Sequence, residues 1–150
     1  QGFEYTHEYN GLEDTSLWND TDTKNTTSAK DCGRLLERIY RGEFVSHLAS
    51  RQMEELLLNQ QVTYKIPSTI PSELRVANKT GETSDCENDA AIVYTPKGDY
   101  ILCIMSCEVS SKSSAVDSLQ EMSSLIYSYF MNRDTSKVSR QVEATAKETD

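Results

Sequence analysis

The fold is decided by one stretch in the middle of the chain. It reads Arg75-Val76-Ala77-Asn78-Lys79-Thr80-Gly81-Glu82, and a few residues later Asn88-Asp89-Ala90-Ala91-Ile92-Val93-Tyr94 follows. Residues 74–79 predict a strand that ends at the Lys-Thr-Gly triplet. Residues 90–95 predict a second strand, because Ile, Val and Tyr favour a pleated, half-buried surface.

A turn links the second strand to a third. The turn reads Pro96-Lys97-Gly98-Asp99, a composition typical of tight turns. It is followed by an apolar run over residues 100–109, so the two strands are expected to form an antiparallel hairpin.

Helical patterns lie on both sides of these strands. A first helix is predicted from an N-cap at Thr27 or Ser28, with Asp31 completing a weak capping box and Gly42 ending the helix. A second short helix is predicted from about Ser50, and an amphipathic helix over residues 113–131. The order predicts an α+β fold, in which helices cover an antiparallel sheet.

Composition limits the classes of partner. The chain has 150 residues, enough for one domain or a piece of a larger one, and its net charge is -9. This acidic balance argues against nucleic acid or anionic lipid as a partner, since both require a basic surface. No run of about 18 apolar residues is present to predict a membrane span.

The four cysteines form no metal-binding pattern. No C-x-x-C pair occurs, so neither a zinc site nor another cofactor is expected. We expect reduced, buried thiols, although the even number leaves a disulfide open. The cysteines are Cys32, Cys86, Cys103 and Cys107.

Three segments in register resemble the penicillin-recognising serine hydrolases, the group of class A β-lactamases and D,D-peptidases. The first is the Lys-Thr-Gly triplet at a strand end, followed by the Asn88-Asp89 strand start and a hairpin. Residues 25–29 resemble the end of that family's omega loop, and residues 41–46 resemble its link between two helices. The resemblance implies an omega-loop-like segment over 1–27 and the C-terminal portion of the family fold over 28–131. Residues 132–150 form a polar tail, whose composition predicts disorder.

The resemblance also implies substrate-binding roles. Lys79 would supply positive charge for a substrate carboxylate, the Thr80 hydroxyl would donate to it, and Gly81 would let the ligand approach the backbone. An amide near Thr83 would complete an oxyanion hole. The implied partner is a β-lactam or a peptidoglycan stem peptide, and the implied location is extracytoplasmic in a bacterium.

Interpretations that involve no ligand binding stay open for the same residues. The triplet could be no more than a strand end and turn, and Glu82 is expected to be a solvated charge. The Asn78-Lys79-Thr80 sequence also fits a glycosylation sequon.

The chain departs from the family pattern at its catalytic centre. It contains neither Ser-x-x-Lys, which carries the family nucleophile, nor Ser-x-Asn. Glu13 is a weak candidate for the deacylating base, because the residues around it have the wrong spacing. We therefore expect a truncated fold whose nucleophile lies upstream and whose exposed sheet face promotes self-association. The alternative is a non-catalytic module of the same fold that binds peptidoglycan or a protein.

Overall fold

The computed structural model describes residues 2–9, 11 and 24–133. These residues form an α+β fold with one antiparallel sheet, as the sequence predicts. The elements are helices α1 (Ala29–Tyr40) and α2 (His47–Leu58), a 3-10 turn (Ile66–Thr69), strands β1 (Val76–Glu82), β2 (Glu87–Val93) and β3 (Tyr100–Ile104), and helix α3 (Lys112–Asn132).

The strands lie in the order β1-β2-β3, with both neighbouring pairs antiparallel. The first strand is longer than predicted, because it continues through the Lys-Thr-Gly triplet to Glu82. Lys79 lies opposite Ala90, and Gly81 lies opposite Asn88. The triplet therefore lies at the end of a strand, directly before the turn that Thr83 and Cys86 close. The third strand ends at Ile104, five residues earlier than predicted.

Both faces of the sheet are covered. On one face, Ile66 of the 3-10 turn and Leu119 of α3 pack against Val93. On the other face, Leu36 of α1 packs against Ile92. The predicted exposed sheet face is therefore absent from the described part of the chain. Apolar exposure is found instead on the outer helix surfaces, at Leu48, Leu56, Met122, Leu125 and Tyr129.

The helices begin where side-chain oxygens cap them. Ser28 Oγ accepts from the Asp31 amide at 3.1 Å, which confirms the predicted start of α1. Ser46 caps α2 in the same way, so that helix starts earlier than Ser50. Gly42 follows α1 at φ +74°, and a Cβ there would lie 2.7 Å from the ring of His47. None of the described helices is both long and apolar enough to cross a membrane.

Asp31 fastens the N-terminal segment to α1. Its carboxylate does not complete a capping box but accepts from the Tyr5 amide at 2.7 Å and the Thr6 hydroxyl at 3.0 Å. Burial alone would raise the pKa of Asp31, but these hydrogen bonds hold the pKa below its usual value. Residues 2–9 are thus held against the start of α1.

All four cysteines are free thiols. Cys107 is exposed, so the expectation of buried thiols is wrong there, and the other three are half-buried. Burial, and then the neighbouring Cys32, raise the pKa of Cys103 to about 12. Cys103 therefore remains a protonated, apolar core residue at neutral pH.

Candidate functional site

The outer edge of β1 is open. Two hydrogen bonds bracket the β1–β2 ladder, from Tyr94 N to Arg75 O at 3.1 Å and from Thr83 N to Cys86 O at 3.2 Å. Antiparallel strands alternate hydrogen-bonded and non-hydrogen-bonded pairs. The odd-numbered residues of β1 therefore bond to β2, whereas the even-numbered ones turn their amides and carbonyls to the outer edge. No strand of the described chain pairs with that edge.

This alternation identifies the amides that a ligand would meet. Those of Thr80 and Glu82 point away from β2, one on each side of Gly81; Thr80 is 6% exposed, whereas Glu82 is exposed. The Thr83 amide, which the family resemblance suggests for an oxyanion hole, is used within the hairpin turn instead. Glu82 supplies the outward amide at the end of the strand.

A cation lies beside these amides. Lys79 is exposed, and its Nζ donates to the carbonyl oxygen of Thr80. Next to it, between the sheet and α1, is a cavity of about 310 Å³. Its apolar lining comes from Leu35, Leu36, Ile39, Leu57, Ala90 and Met105. The arrangement suits a ligand with a negative group and an apolar body.

Gly81 is not required by the fold itself. Its φ is not in the left-handed region, and a Cβ there would meet only Asn88, at 3.8 Å. That distance is an ordinary van der Waals contact, so the described chain tolerates a larger residue. A need for glycine would have to come from the open side of the strand, where a ligand approaches.

A buried ion cluster lies below the end of the strand. Lys65 is fully buried, and its Nζ contacts Glu82 Oε1 at 2.6 Å, Glu87 Oε2 at 2.8 Å and the Asn88 carbonyl at 3.1 Å. Glu87, 5% exposed, also contacts Lys112 at 3.2 Å. Glu82 is exposed, as expected for a solvated charge, and it is also an ion-pair partner of Lys65.

The cluster has the charge state that this geometry favours. Burial would lower the pKa of Lys65, but hydrogen bonds and charge from Glu82 and Glu87 hold the pKa above its ordinary value. The hydrogen bond from Lys65 in turn lowers the pKa of Glu87, with a smaller contribution from Lys112. The Lys65 ammonium and the Glu87 carboxylate therefore stay ionised at neutral pH.

A second buried contact fixes the middle of β1. Asn78 Nδ2 donates to Asp89 Oδ1 at 3.1 Å, and the Ile66 amide donates to Asp89 Oδ2 at 3.1 Å. Burial raises the pKa of Asp89 in spite of these bonds. Asn78 is only 1% exposed, so its amide is not accessible for glycosylation, and the sequon is accidental.

The described residues carry binding chemistry more clearly than catalytic chemistry. Glu13, the weak candidate base, lies outside them. Within the described ranges, no group of three or more His, Cys, Asp or Glu side chains lies close enough to hold a metal ion. What the structure brings together is the Lys79–Glu82 edge and the ion cluster below it.

A family model matches most of the chain. The model of the β-lactamase enzyme family matches residues 2–130. The chain belongs to this family. No curated protein matches it by sequence.

Several solved structures share its fold. PBP-A in an acyl-enzyme complex with penicillin G has a TM-score of 0.74 at 23% identity, covering 88% of this chain and 48% of that one. The TLA-1 extended-spectrum β-lactamase has a TM-score of 0.73 at 18% identity, covering 85% and 50%. A class A β-lactamase from Bacteroides cellulosilyticus has 0.73 at 18% identity, covering 89% and 51%. The chain spans about half the length of these members.

Sequence reasoning missed the ion cluster and the Glu82 amide. Nothing around Lys65 in the sequence signals burial, since it lies between Tyr64 and Ile66 in an irregular segment. The outward direction of the Glu82 amide could have been predicted from the sequence. A hairpin turn with Thr83 hydrogen-bonded to Cys86 sets the alternation along β1, and this alternation decides which amides face outward.

Proposed function

We propose that this chain forms one wall of the ligand groove in a serine hydrolase of the β-lactamase family. The ligand is a β-lactam or a D-Ala-D-Ala-type peptide. The observation that carries the proposal is the open edge of β1, where the outward amides of Thr80 and Glu82 flank Gly81 beside the Lys79 ammonium.

Each residue has a role that follows from its chemistry. An extended peptide, or the amide of a β-lactam, adds to the free edge of β1 through main-chain hydrogen bonds. Lys79 attracts the ligand carboxylate, and the Thr80 hydroxyl donates to it. The Glu82 amide, in place of the one near Thr83, stabilises the negative charge that develops on the attacked carbonyl oxygen. The apolar cavity accepts the ligand's side chain.

The nucleophile is proposed to come from another segment of the complete protein. In that reaction a serine hydroxyl attacks the ligand carbonyl and forms an acyl-enzyme. Support comes from the family match and from PBP-A, whose solved acyl-enzyme contains penicillin G. By the same resemblance, we propose an extracytoplasmic location in a bacterium.

A non-catalytic binding module is the second candidate. The observation in its favour is the sequence itself, which has no Ser-x-x-Lys and no Ser-x-Asn. Such a module would keep the groove wall and bind a peptidoglycan stem peptide or a protein segment without acylation.

Intact-protein mass spectrometry with excess penicillin tests the proposal. The 150-residue chain alone should gain no mass, whereas a longer product that includes Ser-x-x-Lys should gain one drug molecule. Lys79→Ala in that product should slow acylation by about 100-fold. Lys97→Ala, which removes an exposed lysine of the β2–β3 turn, should leave the rate unchanged.

Three results would overturn parts of this proposal. A drug adduct on a serine of the 150-residue chain would mean that the chain carries its own nucleophile. Equal acylation rates for the two lysine variants would remove Lys79 from the groove. A complete protein that binds stem peptide but is never acylated would favour the non-catalytic module.

A further inference from the structure

Two cysteines face each other beyond the end of the β2–β3 hairpin. The register of this pair places Asp89 opposite Ile104. Beyond the strand end the Ser106 side chain holds the two segments together, because its Oγ accepts from the Glu87 amide at 2.9 Å and donates to the Glu87 carbonyl at 2.6 Å, while the Ser106 amide donates to Asn88 Oδ1 at 2.8 Å. One further step places Cys107 opposite Cys86.

The next contact brackets the two cysteines from the other side. The Val109 amide donates to the Asp85 carbonyl at 3.0 Å, so the two chains stay together beyond Cys86. Glu108, at φ 55°, takes up the one extra residue on the β3 side. Cys86 and Cys107 therefore lie between two hydrogen-bonded contacts, Glu87 with Ser106 and Asp85 with Val109.

Alternation along the strands places both side chains on one face. Cys86 has the parity of Ala90 on β2, and Cys107 has the parity of Cys103 on β3. Ala90 and Cys103 belong to the same core cluster, on the α1 side of the sheet.

We propose that Cys86 and Cys107 are a site of disulfide formation. Opposite residues of antiparallel segments have Cα atoms about 4.5–5.5 Å apart, within the range of about 4.4–6.8 Å that disulfides span. Both are free in this structure, and Cys107 is exposed, so an oxidant reaches it. The inference does not depend on the proposed function.

The chemistry requires an oxidant of the disulfide class, such as oxidised glutathione. The Cys107 thiolate, after losing its proton, attacks the glutathione disulfide and releases one glutathione thiolate. The Cys86 thiolate then attacks the mixed disulfide and releases the second. The two protein thiols lose two protons and two electrons in total, and one oxidised glutathione becomes two reduced molecules.

The bond would stiffen the end of the proposed groove strand. The Cys86 carbonyl accepts the Thr83 amide in the β1–β2 turn, so the disulfide ties β3 to the turn directly after Glu82. Closing a loop of about 20 residues restricts the unfolded chain and raises Tm by about 10 °C.

Peptide mapping after oxidation tests the site. The chain incubated with oxidised glutathione should lose about 2 Da, for two hydrogens. Trypsin should then release residues 80–97 joined to residues 98–112. Because the second peptide contains both Cys103 and Cys107, the assignment requires two variants. Cys103→Ala should retain the link and Cys107→Ser should lose it.

Other outcomes contradict the proposal. A link from residues 31–34 to residues 98–112 would show pairing through Cys32 instead. Mixed disulfides with glutathione and no internal link would show that Cys86 and Cys107 do not meet. Loss of the link in Cys103→Ala with retention in Cys107→Ser would also overturn it. The Tm of the wild-type chain, measured with and without a reductant, gives an independent readout, and an unchanged value would count against the bond.

Discussion

Replacing Lys65 with Met tests the role of the buried ion cluster. Met retains most of the volume of the lysine stem and removes the ammonium. In the wild-type chain, that ammonium contacts Glu82 at 2.6 Å and Glu87 at 2.8 Å with no exposure to solvent. The substitution therefore leaves the Glu82 and Glu87 carboxylates without the Lys65 ammonium as an ion-pair partner.

The two carboxylates should contribute unequally to the loss. The Glu82 side chain is 35% exposed and regains hydration, so its share is small. The Glu87 side chain is 5% exposed and keeps only Lys112, at 3.2 Å. Breaking a buried ion pair costs about 3–5 kcal/mol. Since Lys112 compensates in part, we expect a loss near 3 kcal/mol in the free energy of unfolding.

Urea denaturation followed by circular dichroism measures this loss. With an m-value of about 2 kcal/mol/M, the midpoint should fall by about 1.5 M. Lys65→Met combined with Glu87→Gln should recover part of the loss, because it removes the stranded charge. A loss below about 1 kcal/mol, or no recovery in the double variant, would refute the reasoning.

Two further predictions follow from the same region. Gly81→Ala should raise the free energy of unfolding by about 0.5–1 kcal/mol, because the added Cβ meets only an ordinary van der Waals contact. The same substitution should slow acylation in the complete protein. A destabilised chain would show that the fold itself needs glycine. The free energy of unfolding should fall as the pH drops below about 4.3. The pKa of Glu87 is lower in the folded state, so the unfolded state binds more protons than the folded state in this range. Urea titrations at several pH values measure that slope, which should be shallower in Lys65→Met, and equal slopes would remove Lys65 as the cause.

The sheet and the helices were predictable because local patterns encode them. The Ile92-Val93-Tyr94 run, the turn at Pro96 and the cap at Ser28 each fix one element through short-range chemistry. The extension of β1 to Glu82 was not predictable in this way. Gly81 and Glu82 have little strand preference of their own, and pairing with β2 holds them in the sheet.

The candidate site was predictable only in part. The family resemblance suggested Lys79, Thr80 and Gly81, which lie together on the open edge of β1. The choice between the Thr83 and Glu82 amides depends on hydrogen-bond alternation, which a motif does not contain. The burial of Lys65 arises from long-range packing, so no spacing in the sequence could reveal it.

The central claim is that the outward amides of β1 contact the ligand. The most direct measurement is a ¹H–¹⁵N NMR titration of the isotope-labelled chain with penicillin G and, separately, with a D-Ala-D-Ala peptide. We expect the amide resonances of Thr80 and Glu82 to shift most. The amide resonance of Thr83, which is hydrogen-bonded to Cys86, should shift little. Unchanged Thr80 and Glu82 resonances at saturating ligand, or shifts confined to another surface, would contradict it.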